Sequence, residues 1–542
     1  MNYAKALICC AGLMFCAIIP TFAQDEEEKD RGTVSAGYET NTTFYFNDKK
    51  NGEAGAVAPE GKFGSNNYVK VDYIKGAFSA GIQLEGYLPA IQGLFPQNLD
   101  NRMLMRKDFY VSFKDKGWDI RVGSLYEQFG SGLLLRTYED RTLGINNALQ
   151  GFRVAYTFGD YLTVKALYGR IRNLPFDVEQ TFTDYSKATA AGADISFSLS
   201  RVLKTDRFDL AIEGSVLDKY EPDPMIGGPH ATGYSGRISF GIDGFTLKGE
   251  YMNRKSDPAP YNNLDSTRNE AILVEMGYSG YGFGGLLTFR KVSNPFLQGF
   301  RMEPQTNYYT FINYVPALTQ QHTYMLASLN PYSTQPDEIG GQADLYYNFK
   351  RGTVLGGRKG MKVHVNYSNF YGRKIDINTG ALKKNNQLLY RDLTVDIERW
   401  FGKDFKMILF YSWQTVNATA VGHGDELWTS HIAVADLTYK FNRKYSLRME
   451  LQHLFTEQDQ KNWAAALLEF NVAPRWSVSV QDMWNYGDTK THYFSGSVSY
   501  SYSKIRAALN FGRFKEGYLC SGGVCRVTPA YTGINLALTV NL

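Results

Sequence analysis

The chain has 542 residues and a formal charge of only +4, with 58 Lys and Arg against 54 Asp and Glu. This near balance excludes the dense basic footprint of a nucleic-acid-binding protein, so no nucleic-acid partner is expected. Tyr (38), Phe (34) and Gly (52) are abundant and Pro (17) is scarce. The seven His form no closely spaced cluster, so the sequence predicts neither a metal site nor another cofactor.

Residues 1–23 are predicted to be a secretory signal peptide. Lys5 supplies the positive start, residues 6–19 form a short apolar stretch, and small residues lead up to the expected cleavage after Ala23. The acidic stretch 24–32 is then expected to be a solvated periplasmic tail. Beyond the signal, no apolar run approaches the roughly 20 residues that a membrane-spanning helix needs.

Alternation of apolar and polar residues dominates the chain from residue 33 to residue 542. In "GWDIRVG", Trp118, Ile120 and Val122 alternate with charged residues, and "SLRMELQ" and the final "GINLALTVNL" repeat the pattern. Period 2 is typical of β-strands, and an exported, Tyr- and Gly-rich chain of such strands is typical of a transmembrane β-barrel. A soluble β-protein also alternates. However, charges on an inner face need water or partners, and a wide lumen supplies both.

Short turns and longer polar connections alternate along the chain. Outer-membrane barrels show this alternation because their periplasmic turns are short and their outer loops are long. With both termini periplasmic, the pattern predicts an all-β, antiparallel barrel of about 24 strands, within a range of roughly 20 to 26. Wall side chains cannot fill a lumen of this size. Because no plug domain precedes the first strand near residue 33, inward-folded loops are expected to obstruct the lumen.

The connection 126–147 contains "YEQFGSGLLLRTYEDR", whose glycines invite comparison with a phosphate loop or a hydrolase nucleophile elbow. A phosphate loop needs Lys-Ser/Thr after its glycines, and an elbow needs G-x-S-x-G. Ser131 has a glycine on each side, and no Lys follows. Leucines mixed with charged residues instead predict a segment that is buried on the barrel wall. Its charged side chains are then expected to be paired or hydrated.

The charged residues of this connection are expected to line or brace a constriction, by facing the lumen or by pairing with inward-facing residues of the wall. The candidate lumen and constriction residues are Arg136, Glu139, Asp140 and Arg141 in the connection, and Asp392, Asp396, Glu398, Arg448 and Glu450 on the wall.

The connection 292–340 is the second candidate, because loops beyond about 15 residues are usually functional or disordered and its aromatic content argues against disorder. It is expected to fold inward as a constriction or to stand up as a docking surface. A packed cap without a ligand is the alternative. The candidate contact residues in it are Arg301, Gln320, Gln321, His322 and Tyr324.

Cys520 and Cys525 lie in "GYLCSGGVCRV". In an exported protein, two cysteines this close indicate a disulfide that closes a small loop. A redox or metal pair is the alternative, although no His or second Cys pair lies nearby.

Three stretches carry a family resemblance: residues 126–154, 313–349 and 520–538. They resemble an uncharacterised family of outer-membrane proteins of the Bacteroidetes type, a domain of unknown function. The resemblance spreads over nearly the whole mature chain. It implies a β-barrel exported to the outer membrane and implies no activity.

The leading hypothesis is a porin-like channel or transport protein of the outer membrane, set in the lipid bilayer, with a lumen constricted by loops. The second hypothesis is a barrel that does not transport but docks other outer-membrane proteins within a larger machine. A membrane-embedded hydrolase is a weaker third hypothesis, because catalytic triads are spatial rather than sequential. No stretch favours catalysis, so the chain is not expected to be an enzyme.

Overall fold

A computed structural model describes residues 32–52, 54–94, 104–173, 185–225, 227–258, 269–299, 310–375, 382–421 and 426–542. The predicted signal peptide and nearly all of the predicted acidic tail lie outside these ranges. Among the described residues, no helix has the length and hydropathy that crossing a membrane would require.

Twenty-four long strands form one closed antiparallel sheet, so the predicted strand number is confirmed. The strands of the sheet are β1 (Thr33–Phe46), β2 (Phe63–Lys75), β3 (Phe78–Tyr87), β4 (Leu104–Asp115), β5 (Trp118–Leu125), β8 (Leu149–Phe158), β9 (Leu162–Arg172), β10 (Tyr185–Ser198), β11 (Asp209–Tyr220), β12 (His230–Ile242), β13 (Phe245–Arg254), β14 (Glu270–Gly280), β15 (Phe283–Ser293), β16 (Asp337–Phe349), β17 (Met361–Ile375), β18 (Leu382–Phe401), β19 (Phe405–Asn417), β20 (Leu427–Lys440), β21 (Tyr445–Phe455), β22 (Trp463–Val472), β23 (Trp476–Asn485), β24 (His492–Tyr502), β25 (Ile505–Phe514) and β28 (Tyr531–Asn541).

Two small hairpins lie within connections. They are β6 (Glu139–Asp140) with β7 (Ile145–Asn146), and β26 (Gly517–Ser521) with β27 (Val524–Thr528). A one-turn helix spans Leu199–Val202 and a 3-10 helix spans Ala418–Val421.

Each barrel strand pairs with its neighbours in chain order, and β28 closes the ring by pairing with β1 in the register Thr40↔Leu538. Closure removes every free sheet edge, which is what a sheet immersed in lipid requires. The connections alternate in length, so the barrel has a short-turn side and a long-connection side. The connection predicted as 292–340 runs from 294 to 336 and thus is shorter at both ends, because β15 and β16 extend into it.

The outer face of the barrel is apolar. Outward residues such as Phe109, Val122 and Leu451 are exposed on the wall, whereas the residues between them face the lumen. A continuous apolar belt of this kind is stable only in lipid. Aromatic pairs such as Trp118–Tyr156 and Trp476–Tyr500 lie at the short-turn ends of the strands, where outer-membrane barrels carry an aromatic girdle. The fold is therefore a transmembrane β-barrel.

Candidate functional site: an interlocked plug in the lumen

Three long connections turn into the barrel and pack on the inner face of its wall at the long-connection side. We call them together the plug. Its first segment is 126–148, its second is 294–299 with 310–336, and its third is 515–530. The buried apolar residues of the plug pack on inward-facing residues of the barrel wall. The inward loops expected from the sequence are thus present, and a third one joins the two that were singled out.

The first segment enters through a tight turn and packs its leucines on the wall. Gly130 and Gly132 have φ values of +55° and +90°, a left-handed conformation that favours glycine. Leu134 is 0% exposed. The wall opposite is lined by small residues: a Cβ on Gly233 would lie 2.7 Å from the Leu134 side chain, and a Cβ on Gly192 would lie 2.8 Å from Phe129. The wall therefore has the shape to receive this segment.

The first and second segments are joined through backbone hydrogen bonds. The Arg136 amide donates to the Ile312 carbonyl at 2.8 Å. The Asn313 side-chain amide donates to the Leu133 and Pro295 carbonyls at 2.8 and 2.7 Å, and its oxygen accepts from the Leu297 amide at 2.6 Å. One buried side chain thus satisfies three backbone groups from two segments.

Replacing Asn313 with Ala should loosen the plug without unfolding the barrel. Three buried backbone groups would lose their partner, each at a cost of about 1–3 kcal/mol, while the wall hydrogen bonds stay intact. Hydrogen exchange followed by mass spectrometry should show faster exchange in residues 129–136 and 310–315. Ser328→Ala, which removes a hydrogen bond within the second segment alone, is the control. Unchanged protection in Asn313→Ala would contradict this role.

The third segment contacts both of the others. A disulfide joins Cys520 to Cys525 across the β26–β27 hairpin, as the sequence predicts. At the hairpin tip, the Gly523 carbonyl accepts a hydrogen bond from the Ala317 amide at 2.8 Å. On the returning strand, the Arg526 guanidinium donates to the Leu143 carbonyl at 2.6 Å. The disulfide-bonded hairpin therefore holds the first and second segments together.

The second segment then crosses to the opposite wall, where it meets residues predicted separately as wall candidates. Gln320 accepts a hydrogen bond from Thr394 at 2.8 Å, and the His322 imidazole lies 2.6 Å from the Asp392 carboxylate. The Tyr324 hydroxyl donates to Asp436 at 3.4 Å. Alternate residues of an extended segment thus contact β18 and β20. Gln321 is exposed, and Arg301 lies outside the described residues.

The charged residues of the first segment divide into two groups. Arg141 binds Glu39 of the wall at 2.7 Å and contacts Glu139, which accepts from Gln83 at 2.8 Å. Burial raises the pKa of Glu139, although the neighbouring Arg141 opposes the shift. These two residues therefore link the plug to β1 and β3.

The other two predicted residues of this segment hold the plug's own backbone. Arg136 donates to the Tyr314 carbonyl at 2.9 Å. Asp140 accepts from the Leu143 amide at 3.1 Å and so closes a turn. Neither side chain has a described contact with a charged group of the wall, so the structure places Arg136 and Asp140 within the plug.

The predicted wall charges lie in ion pairs that face the lumen. Asp396 binds His364 at 2.6 Å, and Glu398 binds Lys406 at 3.2 Å. Arg448 binds Asp436 at 3.0 Å and also contacts Glu450. Asp392 is buried against the second segment. Alternating charges on neighbouring strands thus pair around the lumen, as cross-strand neighbours do.

Several deeply buried charges were not predicted from the sequence. Arg172 is 3% exposed and binds both Glu85 and Asp108, and Arg290 binds Glu338 at 2.6 Å in an equally buried site. Alternation places Arg290 on the inward face of β15, but it gives Arg172 the parity of Val164 and Tyr168, which are exposed on the outer face of β9. The partners of Arg172 and Arg290 depend on strand register, which the pattern does not supply.

Replacing Arg172 with Met should destabilise the barrel strongly, because Glu85 and Asp108 would remain buried after losing the cation that binds both of them. Breaking a buried pair on one side costs about 3–5 kcal/mol. The midpoint of urea unfolding, followed by heat-modifiable migration on gels, should fall. Arg170→Met is the matched control, since Arg170 is exposed and its hydrogen bonds to described residues go to backbone carbonyls. Equal midpoints for the two variants would show this expectation to be wrong.

One group of side chains has the residue types of a hydrolase but not their arrangement. Ser412 and His322 both bind the Asp392 carboxylate, at 2.8 and 2.6 Å. A triad instead needs His between the nucleophile and the acid. Here the acid occupies the middle, so His322 is not placed to take a proton from Ser412. Within the described part of the chain, no group of three or more His, Cys, Asp and Glu is arranged to hold a metal ion.

The chain can be placed in a family. A model of the family of unknown function DUF6029 matches residues 4–542. The chain belongs to this family. The match covers all three stretches that carry the resemblance and agrees with the prediction of an uncharacterised family. No curated protein sequence matches the chain.

Solved structures with similar folds are distant. The P pilus usher (PapC) translocation pore has 9% identity and a TM-score of 0.44, with 94% of this chain and 99% of that chain covered. OccAB3 of Acinetobacter baumannii has 11% identity and a TM-score of 0.36, with the same coverage. An E. coli P pilus tip assembly intermediate containing PapC has 10% identity and a TM-score of 0.46, with 96% and 62% covered. Likenesses at this level carry no argument about cargo or partners.

Proposed function

We propose that the protein is a transport barrel of the outer membrane whose plug closes the lumen in the state described and must move, or open locally, for a solute to pass. The observation that carries this proposal is the division of the lumen. The described plug segments pack on the wall at the long-connection side, whereas the wall nearer the short turns carries paired charges and borders a polar cavity. A barrel with only a structural role does not need a polar cavity on the short-turn side of the plug. We call this cavity the vestibule.

The vestibule is polar and continuous with the plug. A cavity of about 300 Å³ lies beside β1, β2 and β28, and Glu39, Lys70, Asp72 and Arg141 line it. Arg141 belongs to the plug, so the cavity reaches the plug's inner surface. Charged lumens of this type set selectivity in pores. The two acids and two bases that line it balance in charge, so the vestibule itself does not select ions of one sign.

Single-channel recording in planar bilayers tests the proposal. The intact protein should be closed for most of the record and show brief openings when the holding voltage is raised. Proteoliposomes that contain the protein should release a trapped small sugar faster than protein-free liposomes. A protein that is correctly folded by heat-modifiable migration, yet never conducts and never releases the sugar, would count against transport.

A second candidate function is docking of a partner on the short-turn side, which in the outer membrane is the periplasmic side. The turn 350–360 between β16 and β17 exposes Val354 at 96% and Leu355 at 53%. Four cations and no acid accompany them: Lys350, Arg351, Arg358 and Lys359. An apolar tip within a basic turn fits an acidic partner with an apolar pocket.

Co-purification from outer-membrane extracts distinguishes docking from transport. Val354→Asp combined with Leu355→Asp should remove a co-purifying protein while channel openings persist. Tyr281→Asp is the matched control, because Tyr281 is 95% exposed on another short turn without a comparable basic cluster. An unchanged set of co-purified proteins would exclude docking through this turn.

A further inference from the structure

The plug leaves one gap against the wall. A cavity of about 260 Å³ lies between the second and third plug segments and strands β23 and β24. Its walls are largely apolar and come from both plug and barrel. The principal apolar side chains lining it are Met325, Leu329, Met483, Tyr493, Phe514 and Tyr518. At this position the plug and the wall border open space and are not in packed contact.

The void runs along the wall from a polar inner end to a charged outer end. Gln481 and Ser495, a cross-strand pair, lie at the inner end, and the Met483–Tyr493 pair lies two residues nearer the long connections. Lys515, the first residue of the third segment, lies at the outer end, where Arg513 and Glu516 also line the cavity. The cavity is therefore aligned with the direction in which a solute would cross the barrel.

Lys515 is the amine of this cavity, and its described hydrogen bond goes to a backbone carbonyl. Its amine donates to the Glu516 carbonyl at 3.0 Å and lies 6.0 Å from the Trp463 ring centroid. In the described ranges it forms no salt bridge, whereas neighbouring Arg513 is paired with Asp48 at 2.8 Å. Burial lowers the pKa of Lys515, with Asp459 and Glu516 opposing the shift. A partly buried amine in an apolar wall gains most from an anion brought to it.

We propose that this cavity binds small amphipathic anions, in which a carboxylate or sulfonate pairs with Lys515 and an apolar or aromatic body fills the space between the methionines and tyrosines. Methionine side chains adapt to irregular apolar ligands. At about 260 Å³ the cavity is slightly smaller than typical sites for drug-sized ligands, which measure about 300–1,000 Å³. A two-ring aromatic acid matches it. Passage of the bound ligand through the barrel would make it a transported solute. In that respect the inference rests on the proposed transport function and names the class of solute.

Calorimetric titration of the full-length protein in amphipol, with 2-naphthoate as the probe, tests the inference. We expect saturable binding of 2-naphthoate and none of 2-naphthylmethylammonium, which has the same rings and the opposite charge. Lys515→Gln should weaken 2-naphthoate binding by at least about tenfold, since a charge-assisted hydrogen bond contributes about 1.5–3 kcal/mol. Lys504→Gln, at an exposed lysine on the short-turn side, should leave the affinity unchanged.

A second variant tests the cavity without touching the charge. Met325→Trp should fill the space and abolish binding, while heat-modifiable migration reports that the barrel is folded. Equal binding of the anion and the cation, or equal affinity in Lys515→Gln and the intact protein, would overturn the inference. Equilibrium binding needs no passage, so the two proposals fail separately. Conduction without 2-naphthoate binding rejects only this site, and binding without conduction rejects only transport.

Discussion

Deletion of residues 130–145 should convert the closed barrel into an open pore. The deletion removes the buried leucines of the first plug segment and the Arg141 anchor on β1. It also removes the Leu133 carbonyl that Asn313 binds. Leu125 and Leu149 are directly paired on adjacent strands, so the seven residues left between them are enough to form a hairpin. The barrel wall is expected to form unchanged around a lumen that has lost one of the three plug segments.

The expected effect is an increase in single-channel conductance of at least about tenfold, because a barrel of this many strands encloses a wide lumen once its loops are removed. Outer-membrane permeability of cells that carry the variant should rise in parallel, as measured by sensitivity to a large antibiotic. Shortening the turn 350–360, which lies outside the lumen, is the matched control. A folded deletion variant with the conductance of the intact protein would show that the first segment does not close the lumen.

Replacing Cys520 and Cys525 together with Ser should raise the frequency of openings. The β26–β27 hairpin contacts the second segment through Gly523 and the first through Arg526. A disulfide across a loop of this length restricts the open hairpin by about 2 kcal/mol. Its loss should therefore raise the population of loosened hairpins roughly 30-fold. Barrel stability should change little, because the hairpin pairs with itself and not with the wall strands.

Single-channel recording with and without reductant separates this effect from general damage. Reductant should raise the opening frequency of the intact protein toward that of the Ser variant and should leave the Ser variant unchanged. Mean conductance of an opening should be the same in both, since the plug segments themselves are intact. An opening frequency that neither reductant nor the double substitution alters would assign the disulfide no part in closure.

The barrel itself was predictable, because the alternation of apolar and polar residues can be read from each strand separately. Alternation in "GWDIRVG" and "SLRMELQ" follows from one face in lipid and one facing water, and each strand shows it independently. The first plug segment was also accessible. A connection with Leu133, Leu134 and Leu135 beside four charges has an apolar surface that must be buried somewhere. Both predictions depend only on the residues within a single segment and not on which other segment it contacts.

The interlocking of the plug was not predictable, because it depends on which segments meet. Arg172 and Glu85 are 87 positions apart, and their pairing follows from the register of several strands between them. Asn313 looks like an ordinary loop residue until the Leu133 and Pro295 carbonyls are placed beside it. His322 and Asp392 were each proposed for a role in the lumen, yet nothing in the sequence paired them. Arg136 and Asp140 were expected to line or brace a constriction, but the backbone groups that they bind within the plug could not be read from the sequence.

Closure of the ring by β1 and β28 has a consequence for biogenesis. The plug draws its segments from the early, middle and late parts of the chain, and the third segment comes immediately before β28. The same late stretch of the chain is therefore needed for both the wall and the plug. A chain that lacks it has neither the strand that closes the ring nor the hairpin that holds the other two plug segments together.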